Sequence, residues 1–171
     1  LVIIHMAGHH WWYNNNLPDN HVFYTPILES KTLSVSNRRR MINSYDNVTR
    51  FIDTVIDQFI SSVEDKNGML IFLADHGQSF GEDGKWLHAN DMPAEQNPAA
   101  FVWLSEKYKK RNPDKVKSLR QNREKHIDTA FLFHTILDGS NIVTSYLDPS
   151  LSLFSAPTSQ PGEEDADSSE L

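Results

Sequence analysis

The longest regular pattern in this sequence is a stripe of apolar residues that recurs every three or four positions over residues 37–65. This spacing is that of one face of an α-helix, so we expect a long amphipathic helix there. Ser36 or Asn37 is expected to cap its start, and Asn67-Gly68 to end it. The stripe comprises Met41, Tyr45, Val48, Ile52, Val55, Phe59 and Val63, and is widened by Ile42, Ile56 and Ile60.

Two continuous apolar runs flank this helix, at residues 1–4 and 69–74. Runs of this kind are typical of strands covered on both faces, as in a parallel sheet. Strand, helix and strand in this order predict a right-handed βαβ unit. A third strand is predicted at residues 100–104, and the architecture is therefore expected to be α/β. Because a central strand at residue 1 has no lead-in, we expect the chain to be part of a larger protein.

The remaining segments predict loops and shorter helices. Residues 6–34 have no sustained period and predict a long loop, in which Trp11-Trp12-Tyr13 is expected to serve as packing. A glycine-rich loop is expected over residues 77–98. Residues 107–125 contain nine of the sixteen basic residues and predict helix plus loop with a solvated face, contact with anionic headgroups being the alternative. Residues 127–137 predict a further helix.

Composition limits the function. The 171 residues suit one domain, here residues 1–154, followed by an acidic tail at 155–171 whose polar composition predicts disorder. The net charge of −7 argues against nucleic-acid binding through a basic surface. The chain has no cysteine, which excludes disulfides, cysteine-based zinc sites and thiol nucleophiles. No apolar run approaches the roughly 18–20 residues of a membrane span.

Side chains that can bind a metal follow both apolar runs. Asp75-His76 ends the second run, His10 follows the first, and His88 lies in the glycine-rich loop. The carboxyl ends of neighbouring parallel strands share one sheet edge, so we expect these groups to lie together. Carboxylate and imidazole are ordinary zinc ligands, and Gly77 permits the turn that lets Asp75 and His76 converge. The alternative is that each histidine is an ordinary surface or core residue.

Other polar residues of the same segments are given structural interpretations. His5, His21 and His134 are interpreted as structural residues. Glu82 and Asp83 are expected to be solvated rather than to bind a metal.

Four motifs, in order over about residues 1–140, closely resemble the phosphoethanolamine transferases. That family is related to the sulfatases, the lipoteichoic acid synthases and the alkaline phosphatases. Its Ser-Asp-His-Gly-Glu-Ser-Leu-Gly-Glu-Asn-Gly stretch, followed by Leu-His, is matched by residues 74–88. Its His-x-x-Gly-Ser/Asn-His, Ile-Asn-Ala-Tyr-Asp-Asn and His-Asp-Asn-Leu-Phe-His-Thr motifs are matched by residues 5–10, 42–47 and 126–135.

The resemblance implies a fold and a role for the matching residues. The fold would be the alkaline phosphatase/sulfatase-like three-layer α/β sandwich, present as its C-terminal portion. Asp75 and His76 would be two ligands of a catalytic zinc. His10 and His88 would contact the substrate phosphate or a second zinc, whereas the motif residues His126 and Asp128 would be structural.

This sequence departs from the family in several places. Gln78 replaces the glutamate that follows Asp-His-Gly, Trp11-Trp12 replaces Gly-Pro, and the usual disulfides are missing. The resemblance places the nucleophilic threonine, a glutamate zinc ligand and the transmembrane helices before residue 1. The isolated chain is therefore expected to bind zinc weakly and to transfer nothing.

The implied activity is the transfer of phosphoethanolamine from phosphatidylethanolamine to lipid A or another lipopolysaccharide-type or glycan acceptor. The full-length protein would be anchored in the inner membrane, with its catalytic domain in the periplasm. Two alternatives stay open. The first is a sulfatase or phosphodiesterase-type hydrolase of the same superfamily, and the second is a non-catalytic remnant.

Overall fold

A computed structural model describes residues 1–156 of the chain. Most of the tail for which disorder is predicted, residues 157–171, lies outside the described residues. The chain divides into two compact units. The first contains residues 1–65 and 70–103, and the second contains residues 66–69 and the chain from residue 104 onward.

The expected long helix is α1, Arg38–Val63, in the first unit. Its apolar stripe buries Met41, Val48, Ile52 and Ile56 in one core, together with Tyr13 and Leu28 from the preceding loop. The expected side-chain cap is wrong, because neither Ser36 nor Asn37 caps the free amides of α1. The Asn37 side chain instead donates to the Thr32 carbonyl, and the Ser36 hydroxyl bonds to Ser34.

The loop before α1 follows the helix closely, as its lack of periodicity predicts, with only short 3-10 turns at Tyr13–Asn16, Asp19–His21 and Val35–Asn37. Buried polar side chains of α1 hold it in place. Asn47 Oδ1 accepts from the backbone amides of Phe23 and Tyr24, both at 2.8 Å, and Asn47 Nδ2 donates to the Tyr24 carbonyl at 2.9 Å. Ser44 and Asn43 bond to the loop backbone in the same way. Buried backbone groups of the loop thereby find partners without forming secondary structure.

The predicted strand at residues 1–4 is wrong. These residues form no strand, and the side chains of Leu1, Val2 and Ile3 are more than four-fifths exposed. An extended segment becomes a buried strand only when neighbouring strands satisfy its amides and carbonyls. Among the described residues no strand pairs with this segment. The βαβ unit that it would begin is therefore also absent from the described part of the chain.

The second predicted strand is β1, Met69–Leu73, and the third is β4, Ala100–Leu104. These two strands pair with each other. The Ala74 amide donates to the Ala99 carbonyl at one end of the pair, and the Ser105 amide donates to the Gly68 carbonyl at the other. The residue numbers run in opposite directions along the pair, which is therefore antiparallel rather than parallel.

The predicted glycine-rich loop contains a small hairpin. Its strands are β2, Ser79–Phe80, and β3, Trp86–Leu87, and Ser79 lies opposite Leu87. Gly81 adopts φ +99°, a left-handed conformation that suits glycine at the start of the turn. A single helical turn, α2 (Pro93–Gln96), follows the hairpin.

The described residues of the second unit form the α-helices α3 (Glu106–Arg111), α4 (Pro113–Gln121) and α5 (Ala130–Gly139) and a 3-10 turn at Pro149–Leu151. Ser105 caps α3 by accepting from the Tyr108 amide, and the buried Tyr108 hydroxyl donates to the Gly139 carbonyl at 2.5 Å. The helix predicted at residues 127–137 begins three residues later, because the Asp128 carboxylate accepts the Ala130 amide. In the described part of the chain, no helix is both long enough and apolar enough to span a bilayer.

We expect Asn47→Ala to lower the free energy of unfolding by about 3 kcal/mol, since it removes three buried hydrogen bonds worth about 1 kcal/mol each. Urea denaturation measures this difference. Asn97→Ala, at an exposed loop asparagine, is the matched control and should change the free energy of unfolding by less than about 0.5 kcal/mol. Equal losses in the two variants would contradict the anchoring role of Asn47.

Candidate active site

The predicted ligands Asp75 and His76 lie at the turn that ends β1. Both side chains are exposed, that of Asp75 to 90% and that of His76 to 41%. The Asp75 carboxylate accepts the His76 amide at 3.0 Å, which holds the acid beside the imidazole. The structure therefore presents a carboxylate and an imidazole side by side to the solvent.

The orientation of the His76 ring is set by its own backbone. His76 Nδ1 lies 2.7 Å from the Gly77 carbonyl oxygen. A carbonyl can only accept, so Nδ1 carries the proton and the neutral ring keeps its lone pair on Nε2. Such a hydrogen bond on the second nitrogen is what orients a metal-binding histidine.

The donor set can be compared with zinc. His76 Nε2 and Asp75 Oδ1 are 3.9 Å apart. Two ligands at about 2.0–2.1 Å from a tetrahedral zinc lie about 3.4 Å apart, so a small side-chain rotation satisfies the geometry. Among residues 1–156, however, no group of three or more His, Cys, Asp or Glu side chains could hold a metal. The pair fits half of a zinc coordination shell.

His88 joins this pair, as predicted. Its ring stacks on the His76 ring with centroids 4.2 Å apart and planes tilted by 26°. The residues on either side of it, Leu87 and Ala89, have φ values of +66° and +67°. Side chains other than glycine seldom adopt this conformation, and such strain persists only where the surroundings impose it.

The contacts that hold Leu87 and Ala89 in this strained backbone conformation centre on Glu95 in α2. Glu95 is only 6% exposed. Its carboxylate accepts from the Ser79 hydroxyl, from the Asn90 amide at 2.8 Å and from Asn90 Nδ2 at 3.0 Å. Its backbone carbonyl accepts the Gly77 amide at 2.7 Å. One residue thus holds the segment after His76 and the segment after His88.

The electrostatics of Glu95 follow from these contacts. Burial by itself raises the pKa of this carboxyl, but the hydrogen bonds from Ser79 and Asn90 outweigh it. With the attraction of His88 they lower the pKa to about 2. Glu95 is therefore ionised throughout the physiological range. Sequence reasoning missed this residue, since an acid in a polar loop carries no periodic signal that separates it from a solvated one.

Gly77 lies against α2 so closely that no side chain fits. A Cβ built on Gly77 would be 1.8 Å from the Ala94 carbonyl oxygen. The glycine was predicted to permit a sharp turn. The structure shows that it also permits this close approach of two backbones.

Gln78, which departs from the family motif, has its own partner. Its Nε2 donates to the Tyr13 hydroxyl oxygen at 2.5 Å. Burial raises the pKa of Tyr13 to about 12, so the phenol stays neutral. Trp11 and Trp12 pack against the same core, which confirms the packing role predicted for this cluster.

The two adjacent histidines of the first motif behave differently. His9 packs on Tyr45 with ring centroids 4.4 Å apart and bonds to the Thr49 hydroxyl at 2.8 Å; burial lowers its pKa to about 4. His10 is exposed, and among the described residues its side chain forms no hydrogen bond, ion pair or ring contact with Asp75, His76 or His88. The structure therefore brings three of the four predicted site residues together, and the chemical roles of all four stay predictions.

The remaining assignments can also be compared with the structure. His21 packs against Phe51, and the His134 ring accepts the Asp148 amide, so both serve structural roles. Glu82 is not merely solvated as predicted, because it pairs with Arg38 at 2.6 Å and accepts the Phe80 amide. His5 and Asp83 are exposed. His126 and Asp128 lie in the second unit.

Two solved structures share this fold. One is the soluble domain of lipooligosaccharide phosphoethanolamine transferase A from Neisseria meningitidis, with a TM-score of 0.75 and 22% identity over 85% of this chain and 47% of that chain. The other is the C-terminal periplasmic domain of phosphoethanolamine transferase EptC from Campylobacter jejuni, with a TM-score of 0.76 and 24% identity over 88% of this chain and 50% of that chain. The expected alkaline phosphatase/sulfatase-like α/β fold is confirmed.

The sulfatase family model matches residues 1–142. The chain therefore belongs to the sulfatase family. Phosphoethanolamine transferase EptA of Escherichia coli K12 is 28% identical over 156 residues, which cover 85% of this chain and 28% of that protein. EptA of Helicobacter pylori is 33% identical over 144 residues, which cover 80% of this chain and 26% of that protein. The Kdo(2)-lipid A phosphoethanolamine 7''-transferase of E. coli K12 is 32% identical over 127 residues, 71% of this chain and 22% of that protein.

These relatives confirm the resemblance to the phosphoethanolamine transferases. The chain spans about a quarter of the length of the curated relatives it matches. It spans about half of each of the two solved domains.

The depressed pKa of Glu95 predicts acid sensitivity. The folded state prefers the ionised carboxylate, so this contribution to stability is full above the usual pKa of 4.5 and is lost as the pH falls toward about 2. We expect the free energy of unfolding to fall over this range in the wild type and to fall less steeply in Glu95→Gln. Urea denaturation at a series of pH values measures both slopes. Glu64→Gln, at an exposed glutamate, should keep the wild-type slope; an unchanged slope in Glu95→Gln would refute the assignment.

Proposed function

We propose that this chain forms part of the catalytic domain of a phosphoethanolamine transferase, which moves phosphoethanolamine from phosphatidylethanolamine to a lipid A or lipopolysaccharide-type acceptor. The observation that carries the proposal is the exposed group of Asp75, His76 and His88, held by Glu95 at the end of β1. The family membership and the names of the relatives support it. By the same resemblance, the complete enzyme would be an inner-membrane protein with this domain in the periplasm.

In this proposal Asp75 and His76 supply two ligands of a catalytic zinc. Bound there, zinc would act as a Lewis acid on a phosphoryl oxygen and lower the pKa of a coordinated hydroxyl. Nδ1 of His76 donates to the Gly77 carbonyl, so Nε2 is the nitrogen left to bind a metal. The other ligands and the threonine nucleophile implied by the resemblance would come from outside the described residues.

His88 is proposed to contact the substrate phosphate rather than to complete the zinc shell. Its ring stacks on His76 and is exposed, so a phosphate near the metal ligands would meet an imidazole edge. A protonated His88 would offset negative charge on the phosphoryl oxygens and donate a proton to a leaving oxygen. His10 is proposed as a second phosphate contact.

A hydrolase of the sulfatase type is the nearest alternative, because it would share the Asp-His-Gly edge. The relatives described above are named as transferases, and no feature of the described site favours hydrolysis. The two reactions differ in the acceptor, so the product distinguishes them.

Metal binding tests the ligand assignment directly. We expect the chain to bind Zn²⁺ or Co²⁺ weakly, since it supplies half of a tetrahedral shell. Asp75→Ala and His76→Ala should each weaken binding by at least about tenfold, or about 1.4 kcal/mol. Calorimetry with Zn²⁺ and absorption spectra with Co²⁺ measure this, and His126→Ala is the control for an exposed histidine. Binding that depends on His126 but not on His76 would contradict the assignment.

Activity tests the reaction. We expect the protein, expressed from its natural gene in a bacterium that makes lipid A, to produce lipid A carrying phosphoethanolamine, as detected by mass spectrometry. His76→Ala should abolish the modification, and His88→Ala should reduce it by about 10²–10⁴-fold, the range for a lost proton-transfer group. Asn97→Ala should preserve it. Undiminished transfer by His76→Ala would refute the site, and release of phosphoethanolamine or sulfate to water alone would favour the hydrolase.

A further inference from the structure

The second unit carries a concentrated positive charge. Residues 106–125 contain nine basic and three acidic residues, a net charge of +6, whereas the rest of the chain carries −13. These residues form α3, α4 and the segment after them. None of these residues belongs to the candidate active site.

The helices form a groove in which several of these cations meet. It has a volume of about 430 Å³ and is lined by Lys109, Pro113, Val116, Lys117, Arg120 and Gln121. The α4 members of this set recur every three or four residues and so occupy one helix face. On the other face, Ser118 and Asn122 are buried, and Lys115 pairs with Asp138 at 2.8 Å.

The cations of the groove are available to a ligand. Lys109 pairs with Glu106 at the groove margin, but Lys117 and Arg120 are exposed and form no ion pair within the described part of the chain. The half-buried Val116 directly precedes Lys117 and lies one helical turn before Arg120. The groove therefore offers two uncompensated positive charges around a small apolar floor.

Exposed apolar residues begin beside the same helices. Asn141 donates to Asn112, the residue between α3 and α4, at 3.4 Å. The loop that follows exposes Ile142, Val143 and Tyr146, with 99% exposure for Val143 and 78% for Tyr146. Basic residues next to exposed aliphatic and aromatic side chains are the combination that suits the interface of an anionic membrane.

We propose that the α3–α4 groove and the adjoining loop at residues 142–146 form a docking surface for anionic lipid headgroups. Lys117 and Arg120 would bind headgroup phosphates, and Val143 and Tyr146 would enter the interfacial layer. The surface is independent of the proposed zinc site, since it shares no residue with it. It would hold the second unit against a membrane whose lipids carry phosphate.

Vesicle co-sedimentation of the 171-residue chain tests the proposal. We expect binding to vesicles of phosphatidylcholine mixed with an equal amount of phosphatidylglycerol, and little binding to phosphatidylcholine alone. Each cation near an anionic surface contributes about fivefold to affinity, so K117E/R120E should weaken binding by at least about twentyfold. K117Q/R120Q, which only removes the charges, should give a smaller loss. Circular dichroism establishes that each variant is folded.

Matched controls separate this surface from a general charge effect and from the zinc site. K31E/R39E makes the same change in net charge at exposed residues of the first unit and should alter binding by less than about threefold. His76→Ala should bind vesicles like the wild type, so failure of the transfer reaction leaves this result intact. At about 1 M salt the Debye length is about 3 Å, so the electrostatic attraction to the vesicles is largely screened. V143S/Y146S should weaken the binding that persists at this salt concentration, because that binding depends on apolar contacts.

Three results would overturn the proposal. One is equal binding to both kinds of vesicle, and another is a loss in K31E/R39E as large as in K117E/R120E. The third is release of the chain from the vesicles by inorganic phosphate, added at the same concentration as the accessible phosphatidylglycerol. The last result would identify the groove as a site for free phosphate.

Discussion

The arrangement of the candidate site depends on the buried carboxylate of Glu95. Its side chain binds Ser79 and Asn90, and its backbone carbonyl binds the amide of Gly77. The contacts to Gly77 and Ser79 lie within three residues after His76, and the contact to Asn90 lies two residues after His88. The imidazoles of His76 and His88 stack on each other. Because Glu95 is ionised and its hydrogen bonds are charge-assisted, it can hold a strained loop around His88 that neutral contacts would hold less firmly. The exposed side chains that are proposed to bind metal and phosphate thus depend on a buried acid for which no chemical role is proposed.

Polar side chains perform a comparable structural role on α1. Asn43, Ser44 and Asn47 lie beside the apolar stripe, yet they are buried and bond to the backbone of the loop before the helix. This explains why a loop of more than twenty residues can pack over a core without regular structure. Part of the family motif at residues 42–47 is therefore a set of loop anchors, and it supports the fold rather than the reaction.

Much of the local structure was predictable. The period of the apolar stripe predicted α1 to within two residues at each end, and the apolar runs predicted β1 and β4. The Asp-His-Gly turn and His88 were predicted to lie together, and they do. The predictions of a strand at residues 1–4 and of a side-chain cap on α1 were wrong. Each of these depends on a partner that lies outside the local pattern.

Residue type and spacing, by themselves, determined the helix, two strands and the carboxylate–imidazole pair, because these follow from contacts within a few residues along the chain. The tertiary structure decided the antiparallel pairing of β1 with β4, the exposure of residues 1–4 and the difference between a half-buried His9 and an exposed His10. It also placed Glu95, among the acidic residues that the structure describes, where its hydrogen bonds hold the site. Strand pairing and side-chain burial depend on contacts between residues that are distant in sequence. The local sequence pattern gives no measure of the energies of those contacts.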